Sequence, residues 1–269
     1  MSFALNFLSA AMRLALVGAL VTLAAGAPAS VRADDAPAIA AASDLQFALT
    51  EVAERFREET GHSVKLTFGS SGNFVTQIEH GAPFQLFLSA DEAYVKRLAE
   101  RGLTRDDGSL YAVGRIVLFA PNGSSLKVDA ELLGLKAALG EGRISRFAIA
   151  NPEHAPYGRA AREALIKVDL WSQVEGTLVL GENASQAAQF ATAGSAQGGI
   201  IPLSLVLQPA VAKRGTWALL PERMHAPLRQ RMVLLKDAGP AASEFYDYMQ
   251  AASARAILER YGFVLPAIN

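Results

Sequence analysis

The chain has 269 residues, 25 basic and 26 acidic side chains, and no cysteine. A formal net charge of −1 gives no general field for nucleic acid or an anionic membrane, so any affinity for anions has to be local. Without cysteine there is no disulfide framework, thiolate metal site or cysteine-linked lipid anchor, yet the length suffices to bury a core unaided and allows two lobes.

At the start, Arg13 precedes an uncharged apolar run from Leu14 to about Ala25, short of the roughly 20 apolar residues a bilayer span needs. Small residues follow, and Val31 and Ala33 fit the small-x-small rule, so the pattern predicts a secretory signal peptide over residues 1–33. That stretch holds Arg13 and Arg32 and no acid, so the exported chain is the more acidic part.

Short apolar strands then alternate with amphipathic helices. "AIAAAS" (38–43) reads as a buried strand, and the helix after it, 45–59, puts Leu45, Leu49, Val52 and Phe56 on one stripe. "SVKLTF" (63–68) is the next strand. The turn "GSSG" follows, and then a helix over about 74–79. A strand over 84–90 leads to a helix over 91–102, with Asp91 near its start and Gly102 just past its end. Further on come a strand over 115–123 ending in Pro-Asn-Gly, a strand and loop over 144–158, and a helix from about Gly158 to Val168. The strand 177–183, a helix 184–193, a strand 198–206 interrupted by Pro202, a strand 228–235 and helices over about 240–260 complete the pattern. Such alternation predicts an α/β fold whose mainly parallel sheet is covered on both faces. With no linker between lobes, the chain is expected to cross on strands near 115–120 and 226–233.

Four strand ends share one feature: each runs straight into a helix start. They carry Ser43; Ser70 and Ser71; Pro156, Tyr157 and Gly158; and Asn183 and Ala184. Ligands of open parallel sheets gather at the carboxyl ends of strands, and helix starts offer unpaired N–H groups with about +0.5 of partial charge. No Lys or Arg stands at any of the four tips, and the nearest, Arg159, lies just inside its helix. Hydroxyl and amide donors without a counter-charge suit a fully ionised oxyanion, which offers only acceptors. A protonated anion such as hydrogen phosphate would need a buried carboxylate, for which Asp44 is the one candidate in these turns. Ser, Asn and Asp at these places are equally explained as helix caps and by the helix dipole. "GSSG" is not the hydrolase G-x-S-x-G elbow, no two of the four histidines have a metal-like spacing, and a relay from Ser71 to His154 is the only enzymatic alternative.

The segments "AASDLQFALTEVAERFREETG", "FGSSGNFVTQIEHGAPFQLFLSAD", "ANPEHAPYG", "GENASQAAQFATAGSAQGGI" and "FYDYMQAASARAILERYGF", in this order over 38–263, resemble the periplasmic molybdate-binding proteins of ABC transporters. Gln85 departs from the family's usual Asp. The resemblance implies a two-lobed periplasmic binding protein of the second structural type. Lobe I would comprise 34–116 and 229–269, lobe II 117–228, with molybdate or tungstate in the cleft. It implies a monomer delivering to an inner-membrane permease, with no enzymatic activity, no cofactor and no nucleic acid. The metal would enter only inside the oxyanion, without direct protein ligands. By position, Ser43 and Ser71 would donate hydroxyls, and Tyr157 and Ala184 backbone N–H groups. Pro202 stands where some members have a tyrosine whose hydroxyl adds a contact, with Ser204 or Tyr157 as replacements. Asp44 is expected to point away from the anion, so that Asp44→Ala leaves affinity nearly unchanged. Other tetrahedral oxyanions, sulfate or phosphate, remain alternatives on the same fold.

Overall fold

The computed structural model describes residues 36–267; the expected signal peptide lies outside them. Two five-stranded sheets carry the chain. The first contains β1 (Ala38–Ala42), β2 (Lys65–Gly69), β3 (Leu86–Ser89), β4 (Ser109–Gly114) and β10 (Leu228–Leu234), in the order β2-β1-β3-β10-β4. The second contains β5 (Ile116–Pro121), β6 (Phe147–Ala150), β7 (Leu178–Gly181), β8 (Gly198–Pro202) and β9 (Gly215–Leu219), in the order β7-β6-β8-β5-β9.

Both sheets have the same construction. Three strands pair in parallel, and the fourth runs against its two neighbours: β10 in the first sheet and β5 in the second. Each reversed strand is the first one laid down after the chain changes sheets, between Gly114 and Ile116 and again between Leu219 and Leu228. The other four strands of each sheet share one direction, so helix starts collect at a common edge.

Helices cover the faces. On the first sheet lie α1 (Gln46–Thr60), α2 (Ser71–Glu79), α3 (Glu92–Glu100), α10 (Pro240–Tyr248) and α11 (Ala252–Arg260). The second sheet is accompanied by α4 (Leu133–Gly140), α5 (Pro156–Lys167), α6 (Trp171–Val174), α7 (Ala184–Thr192), α8 (Leu203–Val206) and α9 (Pro209–Ala212). The predicted stripe of α1 is the buried one: Leu45, Leu49, Val52 and Phe56 are all fully enclosed. Phe56 meets Phe245 edge-on at 5.0 Å, and each such buried ring contributes about 1.5–3 kcal/mol of apolar transfer. Helix α1 stops at Gly61, whose φ of 80° admits the left-handed cap and lets its N–H bond the Arg57 carbonyl.

Several expectations shift. Helix α2 begins at Ser71, three residues earlier than the periodicity predicts, because Ser70 caps it and accepts from the Asn73 N–H. The strand expected over 198–206 ends at Pro202, and α8 starts there. Proline has no N–H for a further rung, and its fixed φ suits a helix entry. Strands β4 and β9 and helix α4 are elements the alternation did not predict. β4 is joined to β5 by Arg115 alone, and β9 is a five-residue edge strand.

Candidate functional site

Strands β1, β2, β6 and β7 point their carboxyl ends at one place, and the turn after each contributes to a single small cavity. Ser43, Ser71, Tyr157 and Ala184 all line it, together with Asp44 and Ser70. The geometry thus brings together all four residues singled out by sequence. No basic side chain lines the cavity among the described residues.

Two hydroxyls are set in the same way. Ser71 Oγ is fully buried and accepts from the Ala90 N–H at 3.0 Å. Ser43 Oγ accepts from the Ser185 N–H at 3.1 Å, and the Ser185 hydroxyl donates to the Ser43 carbonyl at 2.7 Å. In each case a backbone N–H occupies a lone pair of the serine oxygen, which leaves the hydroxyl proton as a donor. The backbone donors come from helix starts. Ser71 and Ala184 open α2 and α7, and Tyr157 is the second residue of α5; such N–H groups have no intrahelical acceptor. Asn183 caps α7 through the Gln186 N–H at 3.0 Å, and Pro156 begins α5, where proline is pre-formed for a first turn.

Ser70 differs from Ser71. Its oxygen is the cap of α2 and also meets His154 Nδ1 at 2.9 Å. The sequence left open a relay from Ser71 to His154; the histidine reaches Ser70 instead, because the 151–155 turn packs on the start of α2. There the Gly72 N–H donates to the His154 carbonyl at 3.0 Å. A Cβ on Gly72 would stand 2.8 Å from that oxygen and 2.9 Å from the Tyr94 hydroxyl, so glycine is what allows this approach. Arg159, the basic neighbour noted in sequence, is not aimed at the cavity. It pairs with Asp91 and donates to the Tyr94 hydroxyl at 3.1 Å, tying α5 to α3.

Asp44, the one buried-carboxylate candidate of these turns, is 1 % exposed in the cavity wall, at the centre of a polar cluster. Gln230 Nε2 donates to Asp44 Oδ2 at 2.7 Å and to the Tyr157 hydroxyl at 3.0 Å. The Tyr111 hydroxyl donates to Gln230 Oε1 at 2.6 Å, and the Ser204 hydroxyl to the Asp44 carbonyl at 2.8 Å. Burial is the main cause that pushes the Asp44 carboxyl from its ordinary 3.8 to about 7, partly offset by the Gln230 and Tyr157 bonds. Burial, and then the nearby Asp44, hold both tyrosine hydroxyls well above their ordinary range. Gly114 makes room for the cluster, since a Cβ there would lie 2.1 Å from the Tyr157 hydroxyl. The hydroxyls of Ser204 and Tyr157, weighed as replacements at Pro202, are both engaged with this cluster.

Sequence reasoning missed Gln230 and Tyr111. A signal was present: in "LRQRMVLL" the positions Leu228, Gln230, Met232 and Leu234 fall on one face of the strand, which puts one amide on a buried, otherwise apolar face.

A family model for bacterial extracellular solute-binding proteins matches residues 38–264. The molybdate-binding protein ModA of Rhodobacter capsulatus is 36% identical over 230 residues, which cover 84% of this chain and 86% of that protein. The molybdate-binding protein ModA of Azotobacter vinelandii is 33% identical over 258 residues, 94% of this chain and 100% of that protein. The solved Azotobacter vinelandii periplasmic molybdate-binding protein has the same fold, with a TM-score of 0.78 at 29% identity over 86% of this chain and 100% of that one.

Proposed function

The chain belongs to the bacterial extracellular solute-binding proteins and, within them, to the molybdate-binding proteins; on that premise we propose that it captures molybdate, and tungstate with it, in the cavity between its two sheets. Ser43 and Ser71 donate hydroxyl protons to the anion, and Tyr157 and Ala184 donate backbone N–H groups. The observation that carries this reading is the convergence of four helix starts, with two proton-bearing hydroxyls, on one cavity that no basic side chain lines. A tetrahedral dianion has only acceptors, and such a donor set satisfies it without proton exchange at the hydroxyls or amides.

The mechanism is capture and closure, with no covalent step. Dividing the lobes at 116/117 and 228/229 places Ser43 and Ser71 on one and Tyr157 and Ala184 on the other. The anion then bridges them and favours the closed arrangement by its differential contacts. The closed form, acting as a monomer in the periplasm after removal of residues 1–33, would hand the anion to an ABC permease. Sulfate has the same charge and shape, so discrimination rests on cavity size. Calorimetric competition among molybdate, tungstate, sulfate and phosphate tests the reading. Saturable binding of molybdate and tungstate, with sulfate and phosphate much weaker, is expected; tighter binding of sulfate or phosphate would overturn the ligand assignment.

A further inference from the structure

A buried acid in the wall of a dianion site poses an electrostatic problem. An ionised Asp44 and a dianion would face each other across a cavity that holds no basic side chain among the described residues. At such separations in a medium of reduced dielectric, like charges repel strongly. One of the two has to give up its charge, and a fully ionised oxyanion at neutral pH does not.

The cluster around Asp44 indicates which. Tyr111 fixes the Gln230 amide by donating to its oxygen, so its Nε2 is turned to Asp44 Oδ2 and to the Tyr157 hydroxyl. Asp44 Oδ2 is therefore an acceptor. Asp44 Oδ1 is buried without a well-formed hydrogen bond, although the neighbouring Tyr157 hydroxyl partly favours the charged form of the group. A buried carboxylate oxygen left without a donor is costly, whereas the same oxygen carrying a proton becomes a donor. An O–H on Asp44, which lines the cavity, would be complementary to an anion.

We propose that Asp44 is the charge-selecting residue of the site, its neutral form favoured by burial, so that capture of the dianion takes up as much as one proton onto its carboxyl group. The inference rests on the anion-binding reading above. The groups that face Asp44 are Tyr157 from α5, Tyr111 from β4, Gln230 from β10 and Ser204 from α8, all uncharged at neutral pH. The arginines nearest in the chain to this cluster are occupied: Arg229 and Arg231, on either side of Gln230, pair with Glu92 at 2.9 and 3.2 Å, Arg159 pairs with Asp91, and Arg115 with Glu222 at 2.9 Å. Burial already lifts the carboxyl to about 7, and a bound dianion raises it further, which is the same as saying that binding and protonation favour each other.

The test is calorimetric titration of the mature protein with sodium molybdate in two buffers of different ionisation enthalpy, from about pH 6 to about pH 9. Molybdate stays a dianion across that range. Uptake approaching one proton at the alkaline end is expected, with Kd rising by as much as about tenfold per pH unit above about pH 7. Asp44→Asn replaces the carboxylic O–H by an amide donor; it is expected to take up no proton, to lose the pH dependence, and to bind tighter than wild type at the alkaline end. Wild-type binding with no proton uptake and a flat Kd overturns the proposal, as does equal uptake in Asp44→Asn. The wild-type measurement carries the test alone if the variant does not fold. Absence of molybdate binding at every pH overturns the functional reading itself, and the two failures are therefore distinct.

Discussion

The two sheets furnish the cavity in different ways. From the first come side-chain hydroxyls, Ser43 and Ser71, each with a lone pair already taken by a backbone N–H. From the second come helix starts at Tyr157 and Ala184, where the proposed donor is the main chain and the side chain does something else or nothing. Tyr157 shows the division clearly: its hydroxyl is bonded to Gln230, which leaves only its N–H for the cavity. A site of this kind responds to substitution asymmetrically. On the first side the residue type is the donor; on the second, almost any residue other than proline keeps it.

The largest effect is expected on the first side. Ser71→Ala removes a charge-assisted donor worth about 1.5–3 kcal/mol, so molybdate affinity should fall roughly ten- to a hundredfold by calorimetry. Ser70→Ala should act mainly through lost capping of α2, about 1 kcal/mol of stability in a thermal melt, with the smaller effect on affinity. If Ser70→Ala lowers affinity as much as Ser71→Ala does, the assignment of the hydroxyl is wrong.

The second side is broken by removing an N–H without touching a side chain that matters. Ala184 is the first residue of α7, where proline is tolerated, and Asn183 before it is extended at φ −152°. Ala184→Pro should weaken molybdate about tenfold while leaving the melting temperature near wild type, and Ala184→Ser should change neither quantity. Equal affinities for the Pro and Ser variants would remove Ala184 from the site.

Closure offers a third lever. Gly72→Ala puts a methyl against the His154 carbonyl and the Tyr94 hydroxyl, so the two sides would meet less well. A severalfold loss of affinity with unchanged stability of the ligand-free protein is expected, and scattering should show a more extended ligand-free form. An unchanged Kd would mean that this contact is absent from the bound state.

The smallest changes concern the polar cluster. Tyr157→Phe keeps the backbone N–H and loses one bond from Gln230, so stability should fall by about 0.5–1.5 kcal/mol with little change in affinity near pH 6. Asp44 is an acid raised from 3.8 to about 7 by folding. The unfolded chain releases this proton first, so the group lowers stability progressively as pH rises from 3.8 through about 7 and adds nothing further above that. Asp44→Asn should therefore melt higher than wild type at alkaline pH, and the difference should vanish in acid. A variant less stable than wild type at alkaline pH would contradict the burial argument.

Much of this architecture is legible in the chain because strand and helix periods alternate cleanly. The stripe of α1 and the positions of Ser43, Ser70, Ser71, Tyr157 and Ala184 at strand ends follow from that pattern alone. The pattern says less about β4, α4 and β9. Only Arg115 separates β4 from β5, with no longer turn to mark the boundary, and α4 is short with glycine near its start and at its end. At the cavity, hydroxyl candidates are visible as letters, but a backbone donor is not; Tyr157 and Ala184 acquire atom-level roles only through family resemblance. The cluster around Asp44 is not legible for a physical reason. An acid at a first helical turn is explained by the dipole alone, and nothing local announces that Gln230, 186 positions away, will enclose it.

The most direct measurement is a crystal structure of the protein grown with molybdate, with the metal located by its anomalous signal. The account predicts one tetrahedral anion whose oxygens lie within hydrogen-bond distance of Ser43 Oγ, Ser71 Oγ and the N–H groups of Tyr157 and Ala184. An anion seated elsewhere, or held in this cavity through Ser70 with Ser71 Oγ turned away, would contradict it.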